Sequence, residues 1–187
     1  MTENKFANPA PLGLLGFGMT TILLNLHNAG LIELTAVIAA MGFALGGTAQ
    51  IVAGIMEYKN RNLFGATAFT SYGFFWWSLI IVWCDPFPIA SADNVSTGFY
   101  LLLWGVFTLF MAIGSLRHDR ATRIVFFSLT VLFFLLSLGD FTGFGAFNTL
   151  AGVIGIFCGG AAIYSGFAQI LNEEYGKIVM PLGKIKQ

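Results

Sequence analysis

The polar side chains inside the apolar stretches of this chain are neutral. Thr20, Thr21 and Asn25 lie in the first stretch and Thr48 and Gln50 in the second, which ends at Glu57. Thr70, Ser71 and Tyr72 lie in the third, Ser128 and Thr130 in the fifth, and Tyr164, Ser165 and Gln169 in the sixth. Hydroxyls and amides give and take hydrogen bonds without changing charge. The chemistry they offer is the guiding of a polar solute, not the cleavage of a bond. A Ser or Thr hydroxyl in an apolar helix often does no more than bond its own backbone. A mid-helix amide needs partners in hydrocarbon, which predicts that Gln50 faces the interior of a helix bundle. Intramembrane charges are the usual marks of a proton relay or ion site, and no Asp, Glu, Lys or Arg falls in the middle of any stretch. His27 stands at the end of one stretch and His118 in a polar loop, while Cys84 and Cys158 are far apart in apolar surroundings. No metal-ligand spacing, catalytic triad or H-E-x-x-H helix is present. The expectation is a protein with no metal, no cofactor and no enzymatic reaction.

The elements that must position these groups are membrane spans. Charged residues make up 10% of the chain against roughly 25% in a soluble domain, and mean hydropathy is +0.80. A bilayer core about 30 Å thick takes about 20 apolar residues per helix. Six segments qualify, at about 9–27, 34–57, 63–84, 96–116, 123–140 and 146–171, in a single domain covering 1–187. The fifth is the shortest, and only the turn "DFTGFG" at 140–145 separates it from the sixth. The fold class expected is therefore an all-α integral membrane protein of six transmembrane helices. A net charge of zero gives no support to a nucleic-acid partner. The N-terminus lacks a convincing cleavage site, so the first segment reads as retained.

The cations orient the spans. Lys5, Lys59, Arg61, Arg117, Arg120, Arg123, Lys177, Lys184 and Lys186 are all the Lys and Arg in the chain. In a six-span arrangement all of them fall on one face, and the other loops carry Glu33, Asp85, Asp93 and Asp140 instead. The positive-inside rule puts the cationic face, with both termini, in the cytoplasm.

The first segment begins "NPAPLGLLGFG", with Asn8, Pro9, Ala10, Pro11, Leu12 and Gly13 leading into Gly16, Phe17 and Gly18. Asn suits an N-cap, and proline is tolerated in a first helical turn, where its missing N–H would be unpaired anyway. The prolines therefore start a helix and do not break one. The glycines leave room for a neighbouring helix or a solute, and the helix N-terminus carries partial positive charge. A second glycine pattern, G-x-x-x-G-G, occurs as "GFALGG" at Gly42–Gly47 and "GIFCGG" at Gly155–Gly160. It reads as close packing of small residues.

"NPAPLGLLGFGMTTILLNLHN", "EYKNRNLFGATAFTSYGFFW", "WGVFTLFM" and "LNEEYGK" closely resemble the acetate uptake transporter family, above all its bacterial succinate–acetate branch, over essentially the whole chain. The external loop around 86–96 matches least. Aquaporins also carry "NPA", but twice and in mid-membrane, whereas this chain has it once and at a membrane face. The resemblance implies six helices per protomer, a homohexamer in the inner membrane, and a separate pathway in each protomer. It implies acetate and succinate as substrates, with protons as a further partner alongside the lipid bilayer, and passage that is either proton-coupled or anion-channel-like. An alternative is a passive channel for small neutral solutes such as ammonia. An apolar constriction of Phe, Tyr and Leu maps to Phe17, Tyr72 and Leu129, and substrate size is tuned at Leu129 and Ala162. Phe17 lies roughly 12 Å in from Pro9, Tyr72 roughly 13 Å in from Leu63, and Leu129 roughly 9 Å in from Arg123. Spacing alone would not select these three, but it places them in one layer, with Gln50 at a similar depth. Thr20, Thr21, Thr70, Ser71 and Thr130 are candidates for hydrogen-bonding the solute along its path. Glu57 is a candidate proton or vestibule group, as is Asn25.

Overall fold

A computed structural model describes residues 7–183. Six helices long and apolar enough to cross a membrane account for most of them: α1 (Ala10–Asn28), α2 (Ala36–Lys59), α3 (Leu63–Cys84), α4 (Asn94–Ser115), α5 (Arg120–Thr142) and α6 (Gly145–Glu174). Lys5, Lys184 and Lys186, three of the cations used to orient the spans, lie outside the described residues.

Local chemistry sets the helix ends. Asn62 accepts a hydrogen bond from the Gly65 N–H and starts α3, and Asp119 does the same from Thr122 for α5. Asp93 and Ser96 form a reciprocal capping box at α4. The carboxyl of Asp93 is held below the usual carboxylate range, chiefly by the Ser96 N–H. Gly143, at φ 66°, closes α5 in the left-handed conformation that glycine adopts without penalty. The fifth span therefore runs to Thr142 and begins at Arg120, three residues before the expected start, because Asp119 recruits the first turn. It has 23 residues, and the shortest helix is α1 with 19. At 30 residues, or about 45 Å, α6 outruns a bilayer core of about 30 Å.

At α1 the proline arrangement is one residue out from expectation. Pro9 is the N-cap, the helix starts at Ala10, and Pro11 occupies its first turn. Asn8 still caps from the position before, its Oδ1 accepting from the Ala10 N–H at 3.1 Å. The glycines that follow admit neighbours and not a solute. A Cβ on Gly13 would stand 2.5 Å from the Phe69 ring, one on Gly16 2.7 Å from the Leu45 carbonyl, and one on Gly18 2.7 Å from the Gly159 carbonyl.

The second helix is not uniformly α. Its middle turns, Gly42–Ala49, are π-helical, which the sequence pattern does not foretell. The widened stretch coincides with G-x-x-x-G-G, and its glycines receive two indoles of α3. A Cβ at Gly46 would lie 2.7 Å from Trp76, and one at Gly47 would collide with Trp77. Thr48 and Trp77 both donate to the Phe43 carbonyl, at 2.9 and 3.3 Å.

The helices pack as a ring. α1 lies along α6 over its whole length, α6 on α5, α5 on α4, and α2 bridges α1 and α3. The ring closes between α3 and α4 through aromatic side chains with little backbone approach: Tyr72 on Phe107 at 5.5 Å and Phe75 on Trp104 at 5.1 Å between centroids.

Candidate functional site

Two cavities lie within the ring. The larger has a volume of about 440 Å³. Its rim gathers the start of α1 (Asn8), the end of α2 (Glu57), the start of α3 (Asn62), the loop before α5 (His118, Asp119) and the end of α6 (Gln169, Asn172). This is the end of the bundle that carries Lys59, Arg61, Arg117, Arg120, Arg123 and Lys177. Farther in, its walls become apolar with Leu14, Ala68, Phe69, Val125 and Phe126. The smaller cavity is about 30 Å³, room for little more than a water molecule. It is lined by Thr21, Asn25 and Asn28 together with Leu24, Phe75, Trp76 and the leucines and phenylalanine of α5.

Three residues border both cavities: Phe17 from α1, Tyr72 from α3 and Leu129 from α5. Each is almost completely buried. The Phe17 and Tyr72 rings are 6.2 Å apart, tilted 44°. The tyrosine presents its ring here, because its hydroxyl donates to Thr108 Oγ1 at 3.0 Å, on a helix that contributes to neither cavity.

Gln50 is fully buried and borders the larger cavity. Its Nε2 donates to the Gly46 carbonyl at 2.7 Å. A carbonyl accepts only, so the amide orientation is fixed with nitrogen towards Gly46. Its Oε1 is then left buried with no protein partner. An unmet buried acceptor is costly, and a water or a solute in the adjoining cavity is the kind of partner that meets one. Beyond the partition, the Thr21 hydroxyl is likewise without a protein partner, and Asn25 bonds the Thr21 carbonyl and Asn28.

Glu57 is buried at the rim, and Asn62 Nδ2 donates to its Oε2 at 2.9 Å. Gly65 makes space for this pair, since a Cβ there would stand 2.7 Å from Asn62 Nδ2 and 2.9 Å from the Glu57 carboxyl carbon. Asn8 joins the rim by donating to Gln169 Oε1 at 2.8 Å.

The remaining path candidates stand apart. Thr20, Thr70, Ser71, Thr130 and Ala162 border neither cavity. Thr20 and Thr130 each donate to the carbonyl four residues earlier, at 2.8 Å. Thr70 packs its hydroxyl against Gly54, and Ala162 is buried among the core side chains. Of the opening motif, Asn8 and Ala10 reach the cavity; Pro11 and Gly13 are packed inward, and Leu12 faces outward. His27 bonds the Ile32 carbonyl in the loop after α1, a structural tie. The sequence does not single out the rim residues Asn62 and Asn172 as site groups, nor Gln169 as a rim group, although Asn62 immediately before the third span carries an N-cap signal.

Comparison with known proteins gives three agreeing results. A family model described as the GPR1/FUN34/yaaH family matches residues 1–187. The chain is 54% identical to the succinate-acetate/proton symporter SatP of Escherichia coli K12, over 98% of this chain and 99% of that one. It is 37% identical to the ammonia transport outward protein 2 of Saccharomyces cerevisiae, over 95% of this chain and 66% of that one. Among solved structures, that of the bacterial acetate channel SatP superposes with a TM-score of 0.94 at 54% identity, covering 96% of this chain and 100% of that one.

Proposed function

This chain belongs to the GPR1/FUN34/yaaH family, and from that membership we propose that it carries acetate, and succinate with it, across the cell's inner membrane. The observation that carries the reading is the partition. Among the described residues, Phe17, Tyr72 and Leu129 alone border both the polar-rimmed cavity and the small one beyond it. They act as the constriction of a pathway that in this conformation is open towards the cationic, cytoplasmic face. The whole chain works as one transport domain, and no reaction is catalysed.

The partition decides the form in which the acid crosses. Placing an unpaired carboxylate among Phe, Tyr and Leu side chains costs far more than placing the neutral acid there. Gln50 Oε1 is an acceptor that lacks a donor, and the O–H of an undissociated carboxylic acid supplies one. A carboxylate has only acceptors to offer. The neutral acid, or the anion with its proton, is thus the form that passes. Glu57, at the rim with Asn62, is placed to exchange that proton with the cytoplasmic side.

The test is labelled acetate uptake into proteoliposomes with and without an imposed pH gradient. Uptake driven by the gradient is expected, and an anion current independent of it would replace proton-linked passage by a channel. Phe17→Ala is expected to raise butyrate uptake relative to acetate roughly tenfold or more, as a constriction that discriminates single methylenes should. A wild-type size profile in that variant would remove Phe17 from the constriction. The apolar partition would also pass ammonia, so methylammonium uptake by the same vesicles, with no acetate flux, would favour the neutral-solute channel.

A further inference from the structure

α4 lies behind the pathway, yet its side chains reach the partition, and one of them does so by a hydrogen bond. Thr108 is fully buried. Its Oγ1 accepts from the Tyr72 hydroxyl at 3.0 Å and donates to the Trp104 carbonyl at 2.7 Å. The chain Tyr72 O–H to Thr108 O–H to Trp104 C=O leaves the threonine no other orientation, because its single proton is committed to Trp104. Thr108 is therefore held as an acceptor aimed at the tyrosine. The Tyr72 ring is gripped on the same side by Phe107 at 5.5 Å and Trp104 at 6.1 Å.

We propose that Thr108 is a positioning residue for the pathway, fixing the Tyr72 ring in the partition and so setting the size and polarity limit for the solute. This rests on the reading of Phe17, Tyr72 and Leu129 as the constriction. With the bond intact, the tyrosine shows the solute an apolar ring, and its hydroxyl is withdrawn from the pathway. Without it, the Tyr72 ring loses its one polar anchor. Where the hydroxyl is kept it becomes an unmet buried donor, so the ring is no longer held in one place in the partition. The α3–α4 seam has little backbone contact to hold the ring otherwise.

The experiment measures uptake of labelled acetate and butyrate by full-length protein in proteoliposomes and reads their ratio. Thr108→Val keeps the shape and removes the acceptor; it is expected to raise butyrate relative to acetate about fivefold, the scale of one buried hydrogen bond. Thr108→Ser restores the hydroxyl and is expected to restore the wild-type ratio. Tyr72→Phe removes the same bond from the other side without touching α4 and is expected to shift the ratio in the same direction. The double variant Tyr72→Phe/Thr108→Val should match Tyr72→Phe alone, since the bond the two residues share is already gone. If Thr108→Val does not insert, Tyr72→Phe carries the test. A wild-type ratio in Thr108→Val or Tyr72→Phe, while Phe17→Ala changes it, overturns the positioning role and leaves the constriction standing. A wild-type ratio in Phe17→Ala as well overturns the constriction itself.

Discussion

Gln50 shows how much a single residue discloses. An amide in the middle of an apolar helix must be satisfied from somewhere, and that requirement alone is enough to turn it inward. What its residue type does not convey is the direction of the imbalance. The Gly46 carbonyl takes the amide nitrogen, so the group left without a protein partner is an acceptor. Gln50→Leu is expected to lower acetate uptake roughly tenfold, the rate equivalent of about 1.4 kcal/mol. Gln50→Glu is expected to be no better, because an ionised carboxylate has no donor for the Gly46 carbonyl that the amide nitrogen now meets and is itself costly to bury there. Wild-type uptake by Gln50→Leu, measured at equal protein incorporation, would remove the residue from the path. The threonines are harder to read. Their type is right for hydrogen-bonding a solute, but Thr20 and Thr130 spend their protons on their own helices. Nothing in one sequence separates a back-bonded hydroxyl from a free one. Phe17, Tyr72 and Leu129 are reached by resemblance and not by physics, since an aromatic or leucine in a span is more often plain packing.

At the scale of elements, hydropathy and caps are legible in the sequence and helix geometry is not. The six apolar segments appear as six long helices, because span length follows from bilayer thickness and the polar turns between them contain Asn62, Asp93 and Asp119 as caps. The π-helical turns of α2 escape notice because the glycine pattern states only that something approaches closely, and the approach is made by two indoles from another helix. The same limit applies to α1 and α6. Gly18 and Gly159 face one another, and a Cβ on either would meet the other's carbonyl at 2.7 Å. Both obstacles are backbone, so relief requires the helices to part. Gly159→Ala is expected to destabilise the folded protein by about 1–3 kcal/mol, as overpacking does. Gly145→Ala, at the first turn of α6 with nothing near it, should be neutral within about 0.5 kcal/mol. Thermal unfolding in detergent compares the two. Equal melting temperatures would mean that the close approach of α1 and α6 is not what glycine secures there.

For the molecule as a whole, the charge distribution makes the boldest statement. Arg61, Arg117 and Lys177 stand at the end where the large cavity opens, and the loops at the opposite end carry Asp85 and Asp93. Cytoplasmic loops are enriched in cations, so the orientation we propose has the wide cavity facing the cytoplasm and the near-closed one facing outward. Assembly is a separate matter that a single chain leaves unstated: Leu103, Phe110, Val153 and Phe157 are exposed on the outer faces of α4 and α6, and lipid or a neighbouring protomer would cover them equally well. A hexamer predicts six times the 20.2 kDa chain mass in native mass measurements from mild detergent, and a monomer mass there would reject it. Orientation can be decided without reference to assembly. The only native thiol that is exposed is Cys84, the other being buried Cys158, so Cys84→Ser gives a quiet background for introduced cysteines. In that background Ala90→Cys, exposed in the loop between α3 and α4, is expected to react with a membrane-impermeant maleimide on intact cells. Asn60→Cys, exposed between α2 and α3, should react only after permeabilisation. The reverse pattern would turn the protein over in the membrane. The open cavity would then face outward, and Glu57 would exchange protons with the outside, where an inward proton gradient begins.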